Sequence, residues 1–296
     1  VMASVPAIYE RLFKIIKKHL EKQGKVEQIL KDEEKYKDSS MEKKKEVFKE
    51  IHDLLGGNIK LFISGAASLE PSIEEKFRRL GFNMVQGYGL TETSPVVAIG
   101  NKKYHKTGSI GKCVPSDEVK LLDINKDGIG ELAVKGPNVM LEYYENKEAT
   151  EKVLKDGWFQ TGDLARIDED GYIFICGRKK SVIVLKNGKN IFPEEMETLI
   201  NKEDGVEESF IFGKPISKDP NDIKIFVKIV YNKESFEGKT ETEIKEYFNE
   251  KIKSINKTMP HYKAIRGIII SDKPLIKTTT NKIKREKNLE QIIKEL

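Results

Sequence analysis

The stretch from Ile59 to Val85 constrains the fold most. Ile59-Lys60-Leu61-Phe62-Ile63 is a short apolar run that stops at Ser64-Gly65-Ala66-Ala67. Pro71 to Leu80 reads as a helix with proline in its first turn, and Phe82-Asn83-Met84-Val85 is a second apolar run. Strand, helix and strand in such quick succession predict a βαβ unit, because two parallel strands need a crossover between them. In open parallel sheets, ligands gather at the carboxyl ends of the strands. Here that end is Gln86-Gly87-Tyr88-Gly89-Leu90-Thr91-Glu92-Thr93, so chemistry is expected there.

The flanking segments differ in texture. Between Ala7 and Leu55, Tyr9, Leu12, Phe13, Ile16 and Leu20 recur at three- and four-residue steps and predict one helix. A second is expected after Ser39-Ser40, with Val47, Ile51, Leu54 and Leu55 on its face and Gly56-Gly57 at its end. The very polar segment between them reads as an exposed insertion. From Gly108 to Gly177 short strands alternate with tight turns at Asn125-Lys126-Asp127-Gly128 and Asp168-Glu169-Asp170-Gly171, as in a small β-barrel or sheet. Past Gly177-Arg178-Lys179-Lys180 a smaller α+β unit is expected. Its strands lie near 182–185, 208–212 and 224–230, and its helices near 193–201 and 242–255.

Composition narrows the function classes. The 296 residues carry 53 Lys+Arg against 48 Asp+Glu, for a net charge of +5. Acidic residues are interleaved with the lysines, as in Lys31-Asp32-Glu33-Glu34-Lys35, and no recognition motif accompanies the charge, so nucleic-acid binding is not expected. No apolar run approaches the roughly 18 residues that span a bilayer. Cys113 and Cys176 have neither disulfide-framework nor zinc-ligand spacing. Asp123 to Gly128 imitates half of a calcium loop, but Val134 stands where a bidentate glutamate is required, so a hairpin turn is the better reading. Gly108-Ser109-Ile110-Gly111-Lys112 has the wrong spacing for a phosphate loop, and Cys113 stands where the metal-binding hydroxyl belongs. His19, His52, His105 and His261 show no ligand spacing and are expected at the surface or in ordinary hydrogen bonds.

Four segments, in order, resemble one superfamily. Gln86 to Pro95 is one, and Gly157-Trp158-Phe159-Gln160-Thr161-Gly162-Asp163 another. Gly177 to Lys180 with Gly188-Lys189-Asn190-Ile191-Phe192-Pro193-Glu194-Glu195 forms the third, and Thr280-Asn281-Lys282-Ile283-Lys284-Arg285 the fourth. Together they resemble the AMP-forming acyl-CoA synthetases, or adenylate-forming ligases. The Val5-Pro6 opening and the charged helical insertion are most similar to the long-chain fatty acid branch. The fold class this implies is α/β plus α+β: the C-terminal part of a large domain, with a parallel α/β sheet layer and a small β-barrel, followed by a small mobile α+β domain. The expected boundaries are 1–178 for the large-domain portion, with the helical insertion at 7–55, a hinge at 179–181, and the small domain at 182–296.

The resemblance implies roles for particular residues. An acyl carboxylate attacks the α-phosphate of ATP to give an acyl-adenylate and pyrophosphate, and the thiol of CoA then displaces AMP. Glu92 is the Mg²⁺ candidate, since a lone carboxylate beside phosphate oxygens is the usual sparse protein share of such a site. Thr91 would donate its hydroxyl to the α-phosphate. Gly87 and Gly89 would permit a tight turn, Tyr88 would lie against adenine, and Gln86 belongs to the same nucleotide-binding set. Gly65, Ala66 and Ala67 would border adenine and the acyl carboxylate. Asp163 suits a ribose clamp, accepting from two adjacent hydroxyls, and Arg178 adds a cationic donor. Lys282 is the expected catalytic lysine, preceded by Asn281 where the family carries glycine. Lys180 falls at the hinge position, followed by Ser181 in place of the frequent acid. Gly188 falls on the loop lining the CoA side.

The family's Ser/Thr/Gly-rich loop ending in Pro-Lys-Gly does not occur in the sequence. The chain is therefore expected to be a truncated, catalytically incomplete C-terminal portion. The expected substrates are a fatty acid, ATP and CoA, with Mg²⁺ as cofactor. The expected location is cytoplasmic, with the Lys-rich helix near Ile15 to Lys25 able to touch the inner membrane face. Another acyl- or aryl-CoA ligase, or an acyl–carrier-protein ligase, fits the same motifs. A non-catalytic nucleotide-binding relic is the reading from a different class.

Overall fold

The computed structural model describes residues 1–217, 219, 222–278 and 283–295. The chain divides into two compact units, Val1–Ile175 and Cys176–Leu296.

In the first unit the N-terminal part runs β1 (Met2–Ser4), α1 (Pro6–Lys22), α2 (Val26–Lys35), α3 (Met41–Val47), α4 (Lys49–Leu54), β2 (Phe62–Ser64), α5 (Pro71–Arg79) and β3 (Met84–Gly89). The expected βαβ unit is present: β2 and β3 pair in parallel, Phe62 against Met84 and Ser64 against Gln86, with α5 between them. β1 adds in parallel on the far side of β2. The polar segment expected as an exposed insertion carries the helix α2, which buries no residue fully; Val26 and Ile29 give it an apolar edge that packs on the core. Ser40 caps α3 as expected, its hydroxyl accepting from Lys43 N at 3.2 Å.

Aromatic residues fill the space between sheet and helices. Tyr9, Phe62, Phe77 and Phe82 are buried together, with the Tyr9, Phe62 and Phe77 rings meeting edge to face. The Tyr9 hydroxyl lies 2.9 Å from the Met2 carbonyl oxygen and 2.8 Å from that of Ile63, so its one proton is shared between them and α1 is held against both β1 and β2. Burying an aromatic ring of this size stabilises by about 2–3 kcal/mol when the hydroxyl keeps a partner.

The sheet continues through β4 (Val96–Ile99) and β5 (Lys112–Cys113), both antiparallel additions. The glycine-rich segment read as a turn is thus strand as far as Gly89: Gly87 pairs with Ile99 and Tyr88 with Ala98. Its ladder partners lie downstream in the sequence, where the local pattern does not show them.

A second sheet holds β6 (Glu118–Leu122), β7 (Gly130–Lys135), β8 (Leu154–Lys155), β9 (Trp158–Ile167) and β10 (Ile173–Arg178), with α6 (Lys147–Val153) leading into β8. The order is β10-β9-β7-β6, with β8 on β9. Among the described residues this is an open path, where a small barrel was expected. The two acidic turns are hairpin turns. Asn125 Oδ1 accepts from Asp127 N and Ile129 N, and Asp168 Oδ1 accepts from Asp170 N and Tyr172 N.

The second unit contains β11 (Ile183–Val184), β12 (Asn190–Ile191), α7 (Pro193–Ile200), β13 (Val206–Pro215), β14 (Ile223–Tyr231), α8 (Glu241–Thr258), β15 (Ile265–Ser271) and α9 (Arg285–Glu295). β15 and α9 are additions to the elements expected from the sequence. β14 pairs antiparallel with β13 and parallel with β15. Alternation sorts the side chains: Ile211, Val227 and Ile229 join Met196, Ile244 and Phe248 on one face, while Phe210, Phe212 and Val230 join Ile292 on the other. Helices therefore cover both faces of a three-stranded sheet.

Candidate active site

β3 delivers the glycine-rich segment to the sheet end and then breaks into a single 3₁₀ turn, Thr91–Thr93. Thr93 closes that turn. Its buried hydroxyl accepts from Leu90 N at 3.1 Å and lies 2.7 Å from the Pro95 carbonyl. Leu90 N donates to Pro95 O at 2.9 Å, which folds 90–95 back on itself. A Cβ on Gly89 would stand 1.8 Å from the Pro95 carbonyl oxygen, so only glycine allows this approach. Gly87 is different: a Cβ there meets nothing nearer than 3.8 Å.

Tyr88 points to a residue 75 positions away. Its hydroxyl donates to Asp163 Oδ2 at 2.6 Å, a short bond of the charge-assisted kind. Asp163 lies on β9 and is 4 % exposed. The strand residues just before it are pinned: Gly162 N donates to Glu131 Oε1 at 3.1 Å, Thr161 Oγ to Leu132 O at 2.8 Å, and Asp163 N to Thr161 Oγ at 3.1 Å. A carboxylate has about four lone-pair positions, so holding Tyr88 is compatible with accepting ribose hydroxyls.

Glu92 is half-buried, and Thr91 beside it is exposed. Glu92 Oε1 accepts from the Tyr143 hydroxyl at 2.8 Å, and its carbonyl accepts from Met140 N at 2.8 Å. Burial and the adjacent carboxylate push the Tyr143 phenol up to about 12. Among the described residues there is no cluster of three or more His, Cys, Asp or Glu side chains able to hold a metal. Glu92 as a lone carboxylate fits a Mg²⁺ ion that takes its remaining ligands from water and substrate phosphates.

Gln86 is buried and bonded within the protein. Its Oε1 accepts from Leu69 N at 3.2 Å, and its Nε2 donates to Glu74 Oε2 at 3.1 Å. It thereby fastens the loop of Gly65, Ala66 and Ala67 to α5, and Gly65 N donates to Ser4 O at 3.1 Å. Ala66 adopts a positive φ of 67°. Glu74 is fully buried, also accepts from Gly108 N at 2.9 Å, and faces His105 Nε2 at 3.3 Å. Burial and nearby Arg78 depress His105 to about 4, while burial raises Glu74.

Arg178, Lys180 and Gly188 belong to the second unit. Arg178 ends β10, and Lys180 lies in the exposed 3₁₀ turn Lys179–Ser181. Gly188, at φ 75°, forms the turn between β11 and β12. Lys282 lies outside the described residues, as do Thr280 and Asn281. The described residues on either side of it are drawn together. Lys277 bridges Ile283, and the buried Asn288 side chain bonds both backbone groups of Ile276 and the carbonyl of Lys284, each at 2.9 Å.

Two family models match, an AMP-binding enzyme over residues 1–144 and an AMP-binding enzyme C-terminal domain over residues 180–296. The chain belongs to the AMP-binding enzyme family. Within this family, it is 38 % identical over 187 residues to a long-chain-fatty-acid–CoA ligase of Salmonella typhimurium, covering 60 % of this chain and 33 % of that protein. The similar solved structures include o-succinylbenzoate CoA synthetase of Bacillus subtilis with its acyl-adenylate intermediate, 26 % identical at a TM-score of 0.64 over 79 % of this chain and 48 % of that one. The same synthetase with ATP and magnesium aligns at 26 % identity and a TM-score of 0.64, over 80 % of this chain and 49 % of that one. The chain thus spans about a third of the curated relative's length and about half of the solved structures'. Among its described residues, no helix is long and apolar enough to cross a membrane.

Tyr143, Glu131 and Glu74 are absent from the residues expected on the sequence. Each acts on a partner distant in sequence, and none stands in a recognisable pattern.

Proposed function

We propose that the protein carrying this chain is an AMP-forming long-chain fatty acid–CoA ligase. The observation that carries this reading is the Tyr88–Asp163 bond beside the Glu92 turn, which gathers an aromatic ring, a ribose-directed carboxylate and a metal-directed carboxylate within one unit. The long-chain assignment is supported by the 38 % identity to the Salmonella typhimurium ligase. In this reading a fatty acid carboxylate oxygen attacks the α-phosphorus of ATP and pyrophosphate leaves. The CoA sulfur then attacks the acyl carbon, and AMP leaves with the bonding pair.

Asp163 holds the ribose hydroxyls, and Tyr88, anchored by its own hydroxyl, supports adenine. Thr91 donates to the α-phosphate. Glu92 would hold Mg²⁺, which would neutralise charge on the phosphates. Lys282 supplies a cation as negative charge builds on the reacting oxygens. Residues 1–178 form the large-domain portion, 179–181 a hinge about Lys180, and 182–296 the small domain whose Gly188 turn faces CoA. In this reading the protein touches the membrane surface peripherally.

The test is AMP release with a panel of acids, in a polypeptide of the relatives' full length carrying this chain. Highest kcat/KM for long-chain fatty acids, lost in Lys282→Ala, is the expected result. Preference for an aromatic acid would move the assignment towards the o-succinylbenzoate synthetase branch.

A further inference from the structure

The loop between β7 and α6 contains three large side chains with different fates. Leu141 is 94 % and Tyr144 88 % exposed, whereas Tyr143 turns inward and is half-buried. Its backbone is fixed from the other side, since Tyr143 N donates to Thr150 Oγ at 2.9 Å and that hydroxyl donates to Asn146 O at 3.0 Å at the start of α6. From this anchored position the phenol reaches Glu92 Oε1 at 2.8 Å, and Met140, three residues earlier, donates its N–H to the Glu92 carbonyl at 2.8 Å. One segment therefore grips both the backbone and the side chain of a residue about 50 positions upstream. Glu92 stands on a single 3₁₀ turn, which alone would leave a glutamate side chain several rotamers. With Oε1 occupied by the phenol, Oε2 has no protein donor among the described residues.

We propose that Tyr143 is a positioning residue for Glu92: its hydroxyl holds one carboxylate oxygen so that the other is kept for the divalent cation of the metal–nucleotide substrate. This rests on the reading of Glu92 given above. Tyr143 does not touch the reacting atoms; it acts by selecting one carboxylate rotamer before the substrate arrives, which removes an ordering cost from binding.

The experiment is Mn²⁺ binding in the presence of ATP, followed by the loss of the free-ion electron paramagnetic resonance signal. It uses a polypeptide of the relatives' full length carrying this chain, with AMP release measured in parallel. Tyr143→Phe is expected to weaken Mn²⁺–ATP binding about 10- to 150-fold, the worth of one hydrogen bond to a charged group. KM for the metal–nucleotide should rise more than kcat falls. Tyr144→Phe should change neither. Thr150→Val, which loosens the Tyr143 backbone while leaving the phenol, should give a smaller shift in the same direction. If Glu92→Gln weakens Mn²⁺ binding but Tyr143→Phe does not, the positioning role is refuted and the metal role of Glu92 stands. Unchanged Mn²⁺ binding in Glu92→Gln overturns the Glu92 reading itself. A lower melting temperature in Tyr143→Phe with unaltered Mn²⁺ affinity reduces the tyrosine to a packing element and also refutes the proposal.

Discussion

The Tyr88 hydroxyl donates to Asp163 Oδ2 at 2.6 Å and joins the end of β3 to β9 across 75 residues of sequence. The bond ties an aromatic ring on one sheet to a carboxylate on the other. Neither position is free to drift without the other.

Removing that bond while keeping the ring measures its share. Tyr88→Phe is expected to weaken AMP binding about 3- to 10-fold, and Asp163→Ala considerably more, because it also deletes the acceptor for ribose. Calorimetry on the two single variants and the double variant should give a coupling of about 1 kcal/mol. Strict additivity would show that the bond contributes nothing to nucleotide binding.

Gly89 and Gly87 look equivalent in the sequence but should respond unequally. In Gly89→Ala the new methyl would overlap the Pro95 carbonyl, so the 90–95 fold-back must open, at about 2–4 kcal/mol. Gly87→Ala has room at 3.8 Å and should cost less than about 1 kcal/mol. Urea unfolding midpoints of the two variants decide this, and equal losses would be inconsistent with the geometry.

In the second unit, Arg285 at the start of α9 donates to both carboxylate oxygens of Glu197, at 2.7 and 3.0 Å, and to the Ile211 carbonyl at 3.1 Å. Glu197 is 6 % exposed. Arg285→Ala strands a buried carboxylate and is expected to cost about 3–5 kcal/mol, whereas Arg285→Met with Glu197→Leu should recover much of the loss. Thermal melts of the single and double variants provide the comparison.

The burial of His105 and Glu74 predicts a pH dependence. His105 is held neutral, depressed from an ordinary 6.5 to about 4, so the unfolded chain binds its proton first as pH falls. Its contribution is complete above about pH 6.5 and is lost progressively toward pH 4, by at most ~3 kcal/mol. Glu74, raised by burial, works in the opposite direction, since its protonation favours the folded state as pH drops. The difference between wild type and His105→Gln isolates the histidine: the gap in melting temperature should narrow from pH 7 to pH 4.5. A gap independent of pH would rule out a buried neutral histidine here.

Local sequence determined a good deal. The βαβ unit, the Asp-Gly hairpin turns, the Ser40 cap and the alternating strands of the second unit follow from periodicity, turn chemistry and capping, which act over a few residues and leave a pattern. Boundaries were less legible: the strand expected at 59–63 is Phe62–Ser64, and that expected at 82–85 extends from Met84 to Gly89, since each end is set by a ladder partner. Of the barrel or sheet expected after Gly108, the described residues form an open path, since closure depends on pairing between distant strands.

What the sequence determined by itself, then, is which segments form elements and which residue types stand at the end of β3: the glycines, Tyr88, Thr91 and Glu92. What only the tertiary structure decided is how they are held. Gln86 turned out to bind Leu69 and Glu74 inside the protein, Tyr88 to hold Asp163, and Tyr143 to hold Glu92. Those contacts join residues from 12 to 75 positions apart, and hydrogen-bond geometry at that separation is fixed by packing of the elements, not by any local preference of the chain.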